Sequence, residues 1–159
     1  MWSPRRCWLR CARQTRWCGW AEEEEMTVEP RRLRVGIAGL QPGRSWAARA
    51  HVPALRALSG LYEIAGVANT SRARAEAAAA ACGVARAFGS VAELCASPDV
   101  DIVAVTVKVP HHRELVKSAI DAGKHVYCEW PLGNGLAEAE ELAALARARV
   151  STTPWRCIA

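Results

Sequence analysis

Leu33-Arg34-Val35-Gly36-Ile37-Ala38-Gly39-Leu40-Gln41-Pro42-Gly43-Arg44-Ser45-Trp46 reads as a β-strand running into a glycine-lined turn that opens a helix. Residues 33–38 are apolar enough for a strand covered on both faces of a parallel sheet. The glycines free the backbone to turn sharply, and Ser45 suits the N-cap of a helix from Trp46 to about Leu58. Such a turn lets backbone N–H groups approach an anion, and the helix N-terminus adds positive potential. The strict G-x-G-x-x-G spacing is broken: Gln41 stands where the second glycine would, and Pro42-Gly43 reads as an inserted turn. Gly36, Gly39, Gln41, Gly43, Ser45 and Trp46 are the candidate ligand-facing residues of this loop.

The alternation continues downstream. Tyr62–Ala68 is a second strand, followed by an alanine-rich helix from Arg72 to Cys82 that Gly83 closes. A short strand near Ala87-Phe88 precedes a helix at 90–96 under Ser90, and Asp101–Val107 is an uninterrupted apolar run after its first residue. A helix at 111–122 stops at Gly123, a strand at 124–129 follows, and a last helix spans about 136–148 with Leu136, Ala139, Leu142 and Ala146 on one stripe. Five strands alternating with helices imply right-handed crossovers and an α/β fold, an open, doubly wound parallel sheet.

A chain of 159 residues holds one domain with a core of its own over 33–150. No run approaches the roughly 18 apolar residues of a membrane span, which predicts a soluble protein with no membrane partner. The formal charge of +5 sits mainly in the flanks, because residues 33–150 carry 13 Lys and Arg against 11 Asp and Glu. Without a basic stripe and interleaved aromatics, no direct nucleic-acid partner is expected. Seven cysteines in unpaired spacing predict reduced thiols and a cytoplasmic or nuclear location, and Cys7, Cys11 and Cys18 lack a local fourth ligand for zinc. Residues 1–32, with four tryptophans and five arginines in the first 20 and then Glu22–Glu25, read as a disordered or mis-annotated extension, with translation starting at Met26. Residues 151–159 read as an irregular tail at a truncation point.

In a sheet of this type ligands bind beyond the carboxyl ends of the strands, where the strand order reverses. Two further loops end there. Asn69-Thr70-Ser71-Arg72 lacks the acidic residue that grips both hydroxyls of an NAD ribose, and Arg72 suits a 2′-phosphate, so NADP is favoured over NAD. Val107-Lys108-Val109-Pro110-His111-His112 brings Lys108 to the sheet edge as a ligand-facing cation, while the histidines read as cap or packing residues. Glu129-Trp130-Pro131 closes the site; Glu129 can orient a ribose, Pro131 fixes a turn, and the Trp130 indole donates a hydrogen bond but does not titrate.

Glu129-Trp130-Pro131-Leu132-Gly133, placed after the strand Lys124-His-Val-Tyr-Cys128, resembles the Glu-Lys-Pro signature of the Gfo/Idh/MocA oxidoreductases. The resemblance covers residues 33–149. It implies a nicotinamide dinucleotide cofactor, NADP or NAD, a commonly cis peptide before Pro131, and a second α/β domain that this chain lacks. In the family the central lysine moves the proton, and Trp130 stands at that position. His112 matches the family histidine, which implies a cofactor-binding place for it, whereas Lys108-Val109 replaces a Pro-Asn pair. Together with Trp46-Ala-Ala-Arg-Ala-His51-Val-Pro-Ala-Leu55, these departures are similar to a fungal branch that includes a galactose-pathway transcriptional repressor. That likeness implies a dinucleotide-binding sensor or regulator with a protein partner. The alternative is a truncated oxidoreductase acting on a sugar or polyol, with Lys108 as the catalytic candidate.

Overall fold

Capped helices between apolar strands build a five-stranded parallel sheet in the computed structural model, which describes residues 31–150. The readings made on residues 1–30 and 151–159 lie outside these described residues. The strands are β1 (Leu33–Ala38), β2 (Tyr62–Ala68), β3 (Ala87–Phe88), β4 (Ile102–Val105) and β5 (His125–Cys128), in the order β3-β2-β1-β4-β5. The order therefore reverses between β1 and β4, which pair in parallel from Val35↔Ile102 to Ala38↔Val105. The helices are α1 (Val52–Ala57), α2 (Arg72–Ala81), α3 (Val91–Ala96), α4 (His112–Asp121) and α5 (Leu136–Val150).

Strand alternation divides the core in two. Val35, Ile37, Val67 and Ala104 pack with Val52 of α1 and Ala75 and Ala78 of α2. On the opposite face Val103, Val105 and Val126 pack with Leu94, Val116, Ile120 and Leu142 from α3, α4 and α5. The alanine face of α2 lets that helix lie close to the sheet. Ser71 and Ser90 cap α2 and α3, accepting the backbone N–H groups of Arg74 and Glu93.

The first helix is not the single stretch read from the sequence. A π-turn over Ala47–His51 precedes α1, and the Val52 N–H reaches back to the Ala47 carbonyl. Pro53 brings no N–H to the ladder and its ring crowds the carbonyl four residues earlier, so the helix widens in the preceding turn. Ser45 still closes the entry, because its hydroxyl accepts from the N–H groups of Gln41 at 3.0 Å and Ala48 at 3.3 Å.

At the opposite edge of the sheet, Asp101 sits half-enclosed beneath β1. It accepts from the Arg34 backbone N–H at 2.9 Å, from Arg34 Nε at 3.1 Å and from Arg31 Nη2 at 3.0 Å. Burial pushes its carboxyl up, yet the donors of Arg34 and Arg31 together outweigh burial and hold it well below the ordinary carboxylate range. A carboxylate depressed in the folded state contributes stability that is complete above its unfolded value and is lost as pH falls toward the folded one. Asp101→Asn is expected to cost about 1–2 kcal/mol near neutrality, and the gap to the parent should hold down to about pH 4 and narrow progressively below it. Thermal unfolding followed from pH 3 to pH 8 checks both statements.

Candidate functional site

The turn after β1 is positioned by steric necessity. Gly39 has φ +98°, and a Cβ there would stand 2.5 Å from Val107 Cγ1 and 3.0 Å from the Thr106 carbonyl oxygen. Its N–H donates to the Ala68 carbonyl at 2.9 Å, so the turn is fastened to the end of β2. Asn69 adds a second tie, donating from Nδ2 to the Leu40 carbonyl at 2.9 Å and to the Arg74 carbonyl at 3.2 Å. The ends of β1, β2 and β4 thus surround a cleft of about 1130 Å³ at the reversal point of the sheet.

This cleft brings together much of the sequence-derived set. Gly39, Gln41, Ser45, Trp46, Asn69, Thr70 and Lys108 line it, together with Arg44, Arg74, His111 and Glu114. Its floor is small and apolar, from Ala77 and Ala78 of α2 to Val91 and Ala92 of α3. Trp46 is 60% exposed at the rim. Lys108 is exposed, and its ammonium makes no hydrogen bond or ion pair among the described residues. A glycine turn, a helix entrance and three cations against one carboxylate suit a ligand carrying phosphates.

Other members of the set lie elsewhere. Gly36 is a packing residue, since a Cβ there would stand 2.8 Å from Leu94 Cδ2 and push α3 off β1. Gly43 supplies a positive φ of 71° in an open part of the turn. Ser71 is spent on capping α2. Arg72, read from the sequence as the phosphate ligand, is turned toward Glu93 at 3.2 Å and Glu76 at 3.8 Å. Arg74, two residues on, lines the cleft instead, with Nη1 3.4 Å from Thr70 Oγ1.

A second group gathers at the end of β5. The Glu129 N–H donates to the Val105 carbonyl at 3.2 Å, and its carboxylate lies 3.0 Å from His51 Nε2. The Tyr127 ring meets the His51 ring edge-on, with centroids 5.3 Å apart. His112 is only 1% exposed and bridges two loops, with Nδ1 2.9 Å from the Pro131 carbonyl and Nε2 2.9 Å from the Val107 carbonyl. The Trp130–Pro131 peptide is cis, and Trp130 is 91% exposed. None of Glu129, Trp130, Pro131 or His112 lines the cleft.

Cys128 Sγ approaches His112 Nδ1 at 3.3 Å, a spacing compatible with an activated thiolate. Burial, helped by the charge of Glu129, instead pushes the Cys128 thiol up to about 11. At neutral pH it is a protonated packing group and no nucleophile. Among the described residues no group of three His, Cys, Asp or Glu side chains is arranged to hold a metal ion, and no helix is long and apolar enough to cross a membrane.

Comparison with known proteins fits this geometry. A family profile, the Gfo/Idh/MocA oxidoreductase family with an NAD-binding Rossmann fold, matches residues 33–152. A dehydrogenase, aclE, of Aspergillus oryzae is 46% identical over 124 residues, which are 75% of this chain and 34% of the relative. The galactose/lactose metabolism regulatory protein GAL80 of Kluyveromyces lactis is 29% identical over 136 residues, 80% of this chain and 30% of the relative. Among solved structures, an NAD-binding oxidoreductase from Klebsiella pneumoniae superposes with a TM-score of 0.69 at 33% identity, over 75% of this chain and 32% of that one. The chain thus spans about a third of the length of the relatives it matches.

Proposed function

The chain belongs to the Gfo/Idh/MocA oxidoreductase family through its NAD-binding Rossmann domain, and on that premise we propose that it binds NADP(H) in preference to NAD(H) at the cleft between β1, β2 and β4, without using a lysine at position 130. The observation that carries the reading is the composition of the cleft. The fastened turn at Gly39 and the helix entrance at Ser45 face it, and Arg44, Arg74 and Lys108 line it beside Glu114 as the one carboxylate. The end of β2 offers Asn69 and Thr70 where an acidic residue would grip an NAD ribose, and Arg74 stands beside them as the partner for a 2′-phosphate. Lys108 faces the same space and suits the pyrophosphate.

With an indole at position 130 the site has no proton to transfer by the family's lysine route. The simplest output is therefore binding itself, as in a dinucleotide-responsive regulator that acts through a protein partner; the likeness to a regulatory relative supports it. A second reading, an oxidoreductase acting on a sugar or polyol, draws support for its oxidoreductase part from one specific finding, the 46% identity to a dehydrogenase.

Titration calorimetry with NADPH and NADH tests the binding reading. A charge-assisted contact to phosphate contributes about 1.5–3 kcal/mol, or roughly 10- to 100-fold in affinity. Arg74→Ala should weaken NADPH by that factor and leave NADH almost unchanged, whereas Arg72→Ala should affect both little. Equal affinities for the two nucleotides in the parent chain would remove the preference, and no heat with either would remove the binding.

A further inference from the structure

The residue pair at the end of β5 has no part in the cleft, yet it has the construction of an acid–base dyad. A carboxylate oxygen only accepts, so Glu129 at 3.0 Å takes the proton-bearing Nε2 of His51. That leaves Nδ1 as the acceptor nitrogen, and no partner for it exists among the described residues. Tyr127 packs edge-on against the ring and limits its rotation. A base held by a carboxylate with its second nitrogen free is the arrangement expected of a proton acceptor. Lys108, by contrast, has no partner to orient its ammonium among the described residues.

The position of the pair is equally informative. From the end of β2, where Thr70 and Arg74 stand, the sheet edge runs across β1 and β4 to Glu129 at the end of β5. Three strand spacings make about 14 Å, and a dinucleotide lies across such an edge at the point where the strand order reverses. Adenosine at the β2 end therefore puts the nicotinamide near His51 and Glu129.

We propose that His51, oriented by Glu129, is the proton acceptor of this edge, taking the hydroxyl proton of a secondary alcohol as its carbinol hydrogen is lost. The alcohol O–H bond breaks and its proton goes to His51 Nδ1, while its electron pair closes the new carbonyl. A bound oxidised nicotinamide would supply the acceptor for the carbinol hydrogen, which leaves with both electrons of its broken C–H bond. The alcohol is oxidised to a ketone, and the imidazolium is stabilised by Glu129. This inference rests on the dinucleotide-binding reading and on its oxidoreductase branch.

Two measurements on the full chain test it. Carbethoxylation by diethylpyrocarbonate, mapped by peptide mass spectrometry, should modify His51 and be slowed several-fold by saturating NADP⁺. Calorimetry on the same sample separates the two ideas: absence of bound NADP⁺ defeats the binding reading, whereas bound NADP⁺ with no protection of His51 defeats this one. With myo-inositol and D-glucose as probes, His51→Ala should lower NADPH formation roughly 100- to 10,000-fold. Its NADP⁺ affinity should stay unchanged, and free imidazole should restore part of the rate. Glu129→Gln should lower the rate by a smaller factor than His51→Ala, because the amide oxygen still accepts the His51 Nε2–H. A parent rate indifferent to His51, or no NADPH formed by the parent from either probe, overturns the assignment.

Discussion

Gly39→Ala is expected to abolish measurable NADP(H) binding and to destabilise the domain by about 2–4 kcal/mol. Two costs add at this position. The residue adopts φ +98°, a conformation that an L side chain enters at a cost of about 1–3 kcal/mol. The added methyl also meets Val107 Cγ1 at 2.5 Å and the Thr106 carbonyl at 3.0 Å, and the latter is backbone held in the ladder by the Thr106 N–H to Ala38. Relief can come only by lifting the turn off β4, which breaks the Gly39 N–H bond to Ala68 and moves the N–H groups that face the cleft. Gly43→Ala is the matched control. It too has a positive φ but nothing within 4 Å of the added methyl, so it should cost about 1 kcal/mol and leave binding detectable. Denaturant unfolding and calorimetry on the two variants separate strain from close approach.

The contrast between these glycines shows how far the sequence alone could go. The strand-turn-helix pattern predicts the sheet, because periodicity and capping residues are local signals: β2 lies at the predicted Tyr62–Ala68, and Gly83 and Gly123 close their helices with positive φ. Strand ends were overextended. Asp101, Thr106 and Val107 fall outside β4, because the first serves the Arg34 network and the other two turn into the next loop. Within the glycine turn, sequence treated Gly36, Gly39 and Gly43 alike, although one packs under Leu94, one is pressed on β4 and one is open. The π-turn was missed although its cause, Pro53, was in plain view.

The candidate site was legible to the extent that it depends on loops at strand ends. What the sequence could not give was side-chain direction within a helical turn and contact across strand order. Arg72 and Arg74 both follow the same strand, yet one turns to Glu93 and the other to the cleft. His51 and Glu129 are 78 residues apart, and their meeting follows from the order in which β1, β4 and β5 lie side by side. No local pattern encodes that.

His112→Ala is expected to be the costliest single change, about 3–5 kcal/mol. The ring is almost fully enclosed, so truncation leaves a void beside Cys128 and removes the ring from between the Val107 and Pro131 carbonyls, one of which accepts its N–H. Those carbonyls belong to the loops after β4 and β5, which carry Lys108 and Trp130 respectively. Losing the bridge therefore frees both loops at once, and amide hydrogen exchange over residues 107–111 and 129–135 should accelerate together. His112→Gln, which keeps a donor and much of the volume, should recover part of the stability. If His112 were instead a ligand-binding group, His112→Ala would weaken NADPH while leaving unfolding and exchange almost unchanged. The observed burial argues for the first outcome, because a side chain with both ring nitrogens already engaged and 1% of its surface exposed has nothing left to offer a ligand. The position that matches the family histidine thus acts by holding the site's loops together, and its effect on binding should follow its effect on stability.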